Sequence, residues 1–357
     1  MKAKTALGVP LVGLIVCVGS ALLLYRVSAA VAAEEEMTLA LTVTCERQPI
    51  LTCEPLVLEV RISNRGAVPI KIDKSLSLGG PLTLHISGPE GGTRRYKPIR
   101  IASRVPTLQT IRPGEAQAYR LVLVYGAMPL PGKGYAACFP FSEPGDYVLA
   151  FSYETDTRRL QAEPLKVRVA EVQGRDQEAL DLFRGTKQGE FIEDRTKKVV
   201  PPELRRLATE YPNTVYGRYA RYYLAAMLLE HRFDWSKVRG MLGSELAGLD
   251  RGKAELRLVE KVFEKTASEF ADLARGEPAF PLADQCLLYQ ARCYTGSPAN
   301  RRAEAVAVLE DLVKRFPESP VAVKAKKRLE QFRKQAAKRL EKLGKKAPAP
   351  TTRPSSP

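Results

Sequence analysis

Histidine and tryptophan are scarce in this chain of 357 residues, which contains two histidines and one tryptophan. This scarcity excludes a metal site built mainly from histidine. The common catalytic motifs are also missing: the sequence has no Gly-x-Ser-x-Gly turn, no phosphate-binding glycine loop and no His-Glu-x-x-His helix. We therefore predict no catalytic residue, no metal, no cofactor and no enzyme activity.

Acidic residues are outnumbered by basic ones, 40 against 56, which gives a formal net charge of +16. A basic excess of this size favours acidic partners, such as anionic lipid, an anionic envelope polymer, nucleic acid or an acidic protein. Hydrophobic residues make up 45% of the chain, which is enough for a core of ordinary size. The length predicts two or three domains.

The first 33 residues have the pattern of an export signal. Lys2 and Lys4 precede an apolar run over residues 6–24, and small residues follow at 28–32. We predict a secretory signal peptide over residues 1–33. The run also has about the 20 residues needed to span a bilayer, so an uncleaved membrane anchor is the alternative. In either case we expect an exported chain, periplasmic or anchored to the inner membrane.

Apolar and polar residues alternate with period two over residues 37–172, and turn sequences rich in glycine, proline and asparagine separate the runs. The alternation is clearest at 56–63, 82–87 and 147–153. Period two is typical of half-buried strands. About seven such strands predict an all-β domain made of two packed sheets.

This part of the chain resembles immunoglobulin-like domains of bacterial envelope proteins. The resemblance rests on three segments, Arg61–Asn64, Ile111–Glu115 and Pro144–Leu149. It implies an immunoglobulin-like β-sandwich. A bacterial proteinase-inhibitor sandwich has a similar outline, but the sequence offers no distinct reactive loop.

Three cysteines lie in the predicted β domain. Cys45 and Cys53 flank a short connection, and in an exported protein they are candidates for a disulfide. Cys138 is an alternative disulfide partner for either one. The third possibility is that all three cysteines are unpaired buried thiols. A bridge of this kind would stabilise the fold by about 2–3 kcal/mol.

Helical periodicity replaces strand alternation over residues 173–343, and one stretch occurs twice. Tyr211-Pro212-Asn213-Thr214 returns as Phe316-Pro317-Glu318-Ser319, 105 residues later (316 − 211). Proline stops the preceding helix, and Thr214 or Ser319 is placed to cap the next. The offset is close to three units of about 34 residues, the period of tetratricopeptide arrays.

The helical part resembles the tetratricopeptide arrays of bacterial outer-membrane-assembly lipoproteins, through 203–229 and 301–330. The Trp and Leu-Gly of the common repeat consensus are missing, which leaves the number of repeats open. The predicted fold class is therefore multidomain: an all-β immunoglobulin-like sandwich over 37–172, followed by an all-α tetratricopeptide-like solenoid over 173–343. Residues 344–357, rich in Pro, Ala, Thr and Ser, are predicted to be disordered.

Two surfaces of the helical part are candidate binding sites. Interface anchors are commonly tyrosine and arginine, so we predict a partner-binding patch with Tyr219 and Tyr222 more exposed than their neighbours. Its members are Arg218, Tyr219, Arg221 and Tyr222. The last helix carries a strongly basic face, which predicts contact with an anionic membrane or envelope polymer. Its members are Lys326, Lys327, Arg333, Lys334 and Lys338.

These observations favour an exported, non-enzymatic adaptor or scaffold that binds a protein partner through its helices in the cell envelope. The partner's identity does not follow from the sequence. Nucleic acid ranks below protein and anionic surfaces, because export removes the chain from it. The alternatives are an enzyme or accessory domain with a site between the two modules, and an inhibitor acting through the β domain.

Overall fold

The computed structural model describes residues 39–73, 76–99, 107–130, 134–154, 159–194, 199–230, 251–276 and 279–344. The predicted export segment over 1–33 lies outside these residues, as do residues 345–357 of the predicted disordered tail.

Thirteen described strands occupy the first half of the chain. Their bounds are β1 Leu39–Thr44, β2 Ile50–Leu51, β3 Leu56–Asn64, β4 Ile70–Asp73, β5 Leu82–Ser87, β6 Thr93–Pro98, β7 Leu108–Ile111, β8 Ala116–Leu123, β9 Gly126–Leu130, β10 Gly134–Cys138, β11 Gly145–Glu154, β12 Arg159–Gln161 and β13 Leu165–Ala170.

Eight of these strands form one long curled sheet in the order β10-β9-β6-β5-β11-β13-β2, with β12 paired to β11. A three-stranded sheet, β1-β3-β8, and a pair, β4-β7, complete the strand part. Strand β3 is antiparallel to β8, with Leu56 opposite Leu123. The predicted alternation is observed in β3, where Leu56, Leu58, Val60 and Ile62 are buried while the residues between them are half-buried.

Eight described helices occupy the second half. Their bounds are α1 Arg175–Phe183, α2 Thr186–Glu193, α3 Pro202–Glu210, α4 Val215–Glu230, α5 Arg251–Arg275, α6 Ala283–Gly296, α7 Arg302–Arg315 and α8 Pro320–Gly344.

The two copies of the repeated stretch form the turns α3–α4 and α7–α8, and both predicted caps are confirmed. The Thr214 hydroxyl accepts a hydrogen bond from the Gly217 amide at 3.0 Å. The Ser319 hydroxyl accepts one from the Val321 amide at 3.0 Å. Each bond satisfies one amide that the first turn of a helix leaves without a partner.

Helix α2 lies where the weak periodicity of residues 185–200 predicts a loop. Phe191 and Ile192 are buried, and the Gln188 side chain donates to the Leu182 carbonyl at 3.0 Å. The backbone of Gly189 packs against the ring of Tyr125 from the strand part. Contact with the strands therefore stabilises a helix that the local sequence does not predict.

The predicted fold class was wrong: the chain is a mixed α/β structure, not an all-β sandwich followed by an all-α solenoid. One core joins both halves, because strand-part residues including Cys53, Tyr125 and Phe139 share a cluster with the helices. The Phe139 ring lies 5.7 Å from Phe183, which lies 5.2 Å from Tyr216. The helices thus bury apolar faces against the strand part as well as against each other.

Candidate functional site

A groove between α6, α7 and α8 encloses about 230 Å³. Apolar side chains form its floor and cationic side chains its rim, with Thr295 at one edge. The lining residues are Leu288, Ala291, Arg292, Thr295, Leu309, Lys324, Arg328 and Phe332. Helical periodicity explains the side that α8 contributes, since Lys324, Arg328 and Phe332 recur every four residues and therefore share one side of that helix.

The cations at the rim are not neutralised by any carboxylate of the described residues. In the described part of the chain, no carboxylate forms an ion pair with Arg292, Lys324 or Arg328. All three are exposed. Acidic residues on the neighbouring helices pair with other arginines: Glu304 with Arg301 at 2.8 Å, and Asp311 with Arg315 at 3.4 Å. The groove therefore presents net positive charge around an apolar floor.

Aromatic rings hold the arginines in place. The guanidiniums of Arg302 and Arg328 lie 5.2 and 5.3 Å from the Phe332 ring centre, and that of Arg292 lies 5.3 Å from the Tyr289 ring centre. Such cation–π contacts are worth about 0.5–1 kcal/mol at exposed sites. They fix the cations while leaving their donors available.

The sequence alone does not predict this groove. Arg292 is not among the predicted site residues. Lys324 and Arg328 belong to the basic last helix, but the sequence does not show that they lie on a different side of it from the exposed basic face. The four-residue spacing of Lys324, Arg328 and Phe332 was a usable signal. What the sequence lacked was the identity of the helices facing α8.

The expectation that Tyr219 and Tyr222 are more exposed was wrong, because they are 0% and 3% exposed. The Tyr219 hydroxyl donates to the Pro55 carbonyl at 3.1 Å, and that of Tyr216 donates to the Thr52 carbonyl. The Tyr222 ring packs against Phe270 and Tyr289. The exposed area that an interface anchor needs is missing at both tyrosines, and Tyr219 ties α4 to the strand part.

The two arginines of the predicted patch are also largely enclosed. Arg218 is 8% exposed, and its guanidinium lies 5.3 Å from the Phe280 ring centre. Burial, followed by the nearby charge of Arg47, lowers the pKa of Arg218. Arg221 donates to Glu269 at 2.9 Å. The structure therefore brings the four residues of the patch together on α4 but places them mainly inside the molecule.

The basic face of α8 lies on the surface. All five of its members are exposed, and Arg333 has a carboxylate, Glu310, at 3.7 Å. The members are Lys326, Lys327, Arg333, Lys334 and Lys338. Contact between this face and an anionic surface stays a prediction.

The disulfide predicted between Cys45 and Cys53 is not formed, and both residues are thiols. The Cys45 thiol donates to the Arg47 carbonyl at 3.1 Å. Burial raises the pKa of the Cys53 thiol to about 12. Cys138, the alternative partner, is also a thiol.

A second cavity lies between the strand and helical parts, lined by Cys45, Arg47, Glu54, Arg120 and Pro281 among others, and encloses about 40 Å³. A water molecule takes about 30 Å³ of the liquid, so this space holds a solvent molecule or two. The Glu54 carboxylate is fully engaged, with Arg47 at 2.7 Å and the Leu51 amide at 2.8 Å. This cavity, as the described residues line it, is therefore too small for a substrate.

Across the described residues, no helix is both long and apolar enough to cross a membrane. The alternative of an anchor at residues 1–33 lies outside them.

Comparison with known proteins gives little further guidance. No family model matches the chain, and no curated protein matches it. Solved structures similar to part of the chain include β-glucosidases from three bacteria. That of Erythrobacter marinus is 16% identical with a TM-score of 0.20, over 38% of this chain and 16% of that chain.

The β-glucosidase of Listeria innocua bound to glucose is 12% identical with a TM-score of 0.22, over 38% and 17% of the two chains. That of Bifidobacterium adolescentis is 11% identical with a TM-score of 0.20, over 44% and 21%. This chain thus spans about a fifth or less of these structures. Similarity at this level supports no statement about fold or activity.

Proposed function

We propose that this chain is an exported, non-enzymatic adaptor of the cell envelope that holds a segment of a protein partner in the groove between α6, α7 and α8. The observation that carries the proposal is the groove itself, with about 230 Å³ of space, an apolar floor and cations at the rim. Helical grooves of this kind are a recurring mode of peptide recognition. The helices that form the groove share a core with the strand part.

Site-specific cross-linking in the cell of origin tests the proposal. A photoreactive amino acid replaces Thr295 at the edge of the groove, and in a control chain it replaces Val148, which is 38% exposed on strand β11. We expect one protein to be captured covalently from position 295 and not from position 148. Capture of the same proteins at both positions, or of none at 295, would contradict a binding role for the groove.

A further inference from the structure

The size of the groove restricts what it can hold. A cavity of about 150 Å³ is enough to bind benzene, whereas pockets for drug-sized molecules take roughly 300–1,000 Å³. At about 230 Å³, the groove fits one large apolar side chain and is too small for an entire cofactor. Its occupant should therefore insert a single anchor residue and continue along the surface on either side.

The floor fits such an anchor. Leu309, Ala291 and Phe332 are 1%, 3% and 7% exposed, so they form a surface already packed against the core. Burying an aromatic or aliphatic side chain there removes mainly the apolar area of the inserted side chain from water, because the floor is already largely buried. The floor carries no acidic side chain that would be desolvated without a partner.

The rim selects the flanking residues. Lys324 and Arg328 are four residues apart on α8, which places them about 6 Å apart along the helix axis. Arg292 projects from α6. A segment with its anchor in the floor therefore meets cations from two different helices. Carboxylates match these donors, because each arginine can donate two parallel hydrogen bonds to the two oxygens of one carboxylate.

Resting on the proposed adaptor function, we infer that the groove binds an acidic protein segment in which Asp or Glu residues flank one aromatic or large aliphatic residue. The concave shape of the site favours a peptide over a membrane, since lipid binding uses an apolar face that projects into the bilayer. The cations on the outer face of α8, such as Lys326 and Lys327, lie outside the lining of the groove.

A library of short random peptides, selected on the full chain, tests the inference without assuming a sequence. Three variants are compared with the unaltered chain. Thr295→Trp fills the groove without changing charge. Lys324→Gln with Arg328→Gln removes two rim charges. Lys265→Gln with Lys314→Gln removes two exposed charges of α5 and α7 that lie outside the lining of the groove, and is the matched control.

We expect the selected peptides to carry carboxylates on both sides of one large apolar residue. Thr295→Trp should abolish their binding. The rim variant should weaken it by about tenfold, the scale of two moderately strong ion pairs, and the control by no more than about twofold. Binding should also weaken as ionic strength rises.

Two other results are distinguishable. Peptides that Thr295→Trp excludes but that lack carboxylates would overturn the inference while leaving the proposed adaptor function in place. If no peptide depends on the groove, and vesicles containing phosphatidylglycerol bind the chain through Lys326 and Lys327 instead, both the inference and the proposed function fail.

Discussion

Removing the buried carboxylate of Asp284 should destabilise the whole molecule. Asp284 is 2% exposed at the start of α6. It accepts hydrogen bonds from Arg120 on strand β8 and from Ser319 at the start of α8, and from the Gln285 amide at 2.7 Å. One side chain thus joins the strand part to two of the helices that form the groove.

We expect Asp284→Ala to lower the free energy of unfolding strongly, because it removes one partner of a buried ion pair and leaves the other. The Arg120 side chain is only 12% exposed and would remain as a charge without a partner. Breaking a buried ion pair in this way costs about 3–5 kcal/mol. The free energy of unfolding of a typical folded protein is about 5–15 kcal/mol, so we expect at least about a fifth of the stability to be lost. The corresponding fall in melting temperature is about 10 °C.

Urea unfolding followed by circular dichroism measures this loss. Arg120→Met together with Asp284→Ala should cost less than the sum of the two single changes, because no charge is left unpaired. Asp272→Ala is the matched control, since Asp272 pairs with Arg275 at 2.7 Å while its own side chain is 49% exposed. That control should cost no more than about 1 kcal/mol. A loss below about 1 kcal/mol for Asp284→Ala, or additive effects in the double variant, would refute the reasoning.

Three further outcomes are expected. Gly217→Ala should lower the free energy of unfolding by about 2–3 kcal/mol or more, because the added Cβ atom would lie 1.8 Å from the Tyr211 carbonyl oxygen. Thermal denaturation measures this loss. Burial raises the pKa of Glu54 against the opposing charge of Arg47, so its contribution to stability should fall as pH rises above about 4.3, the unfolded value. Urea unfolding at a series of pH values should therefore show that the free energy of unfolding of Glu54→Gln rises relative to that of the unaltered chain as pH increases. Alkylation of Cys53, with a pKa of about 12, should be about a thousandfold slower in the folded than in the unfolded chain.

Each of these has a contrary result. An unchanged melting temperature for Gly217→Ala would mean that the α3–α4 turn relaxes around the added methyl group. For Glu54, the contrary sign is a relative loss of stability in Glu54→Gln as pH rises, since the folded state would then bind the proton less tightly than the unfolded one. Equal alkylation rates of Cys53 in folded and urea-unfolded chains, followed by mass spectrometry, would show that the thiol is accessible.

The sequence by itself determined part of the local structure. Period-two alternation identified the buried rows of strands such as β3 and β11, because a strand with one face against a core must alternate. The aromatic-proline stretches identified two helical turns, and the hydroxyls of Thr214 and Ser319 cap the helices that follow. These features depend on neighbours within a few residues, which the sequence shows directly.

Only the tertiary structure decided what each buried face packs against. The sequence predicts that Tyr219 is a surface anchor next to arginines, yet its hydroxyl donates a hydrogen bond to a carbonyl 164 residues away in the chain. Helix α2 forms because Tyr125 of the strand part lies against it, and the rim of the groove combines Arg292 with cations from α8. Burial and charge balance are sums over contacts between distant segments. Periodicity reports that a residue is buried, but it does not report the partner that buries it.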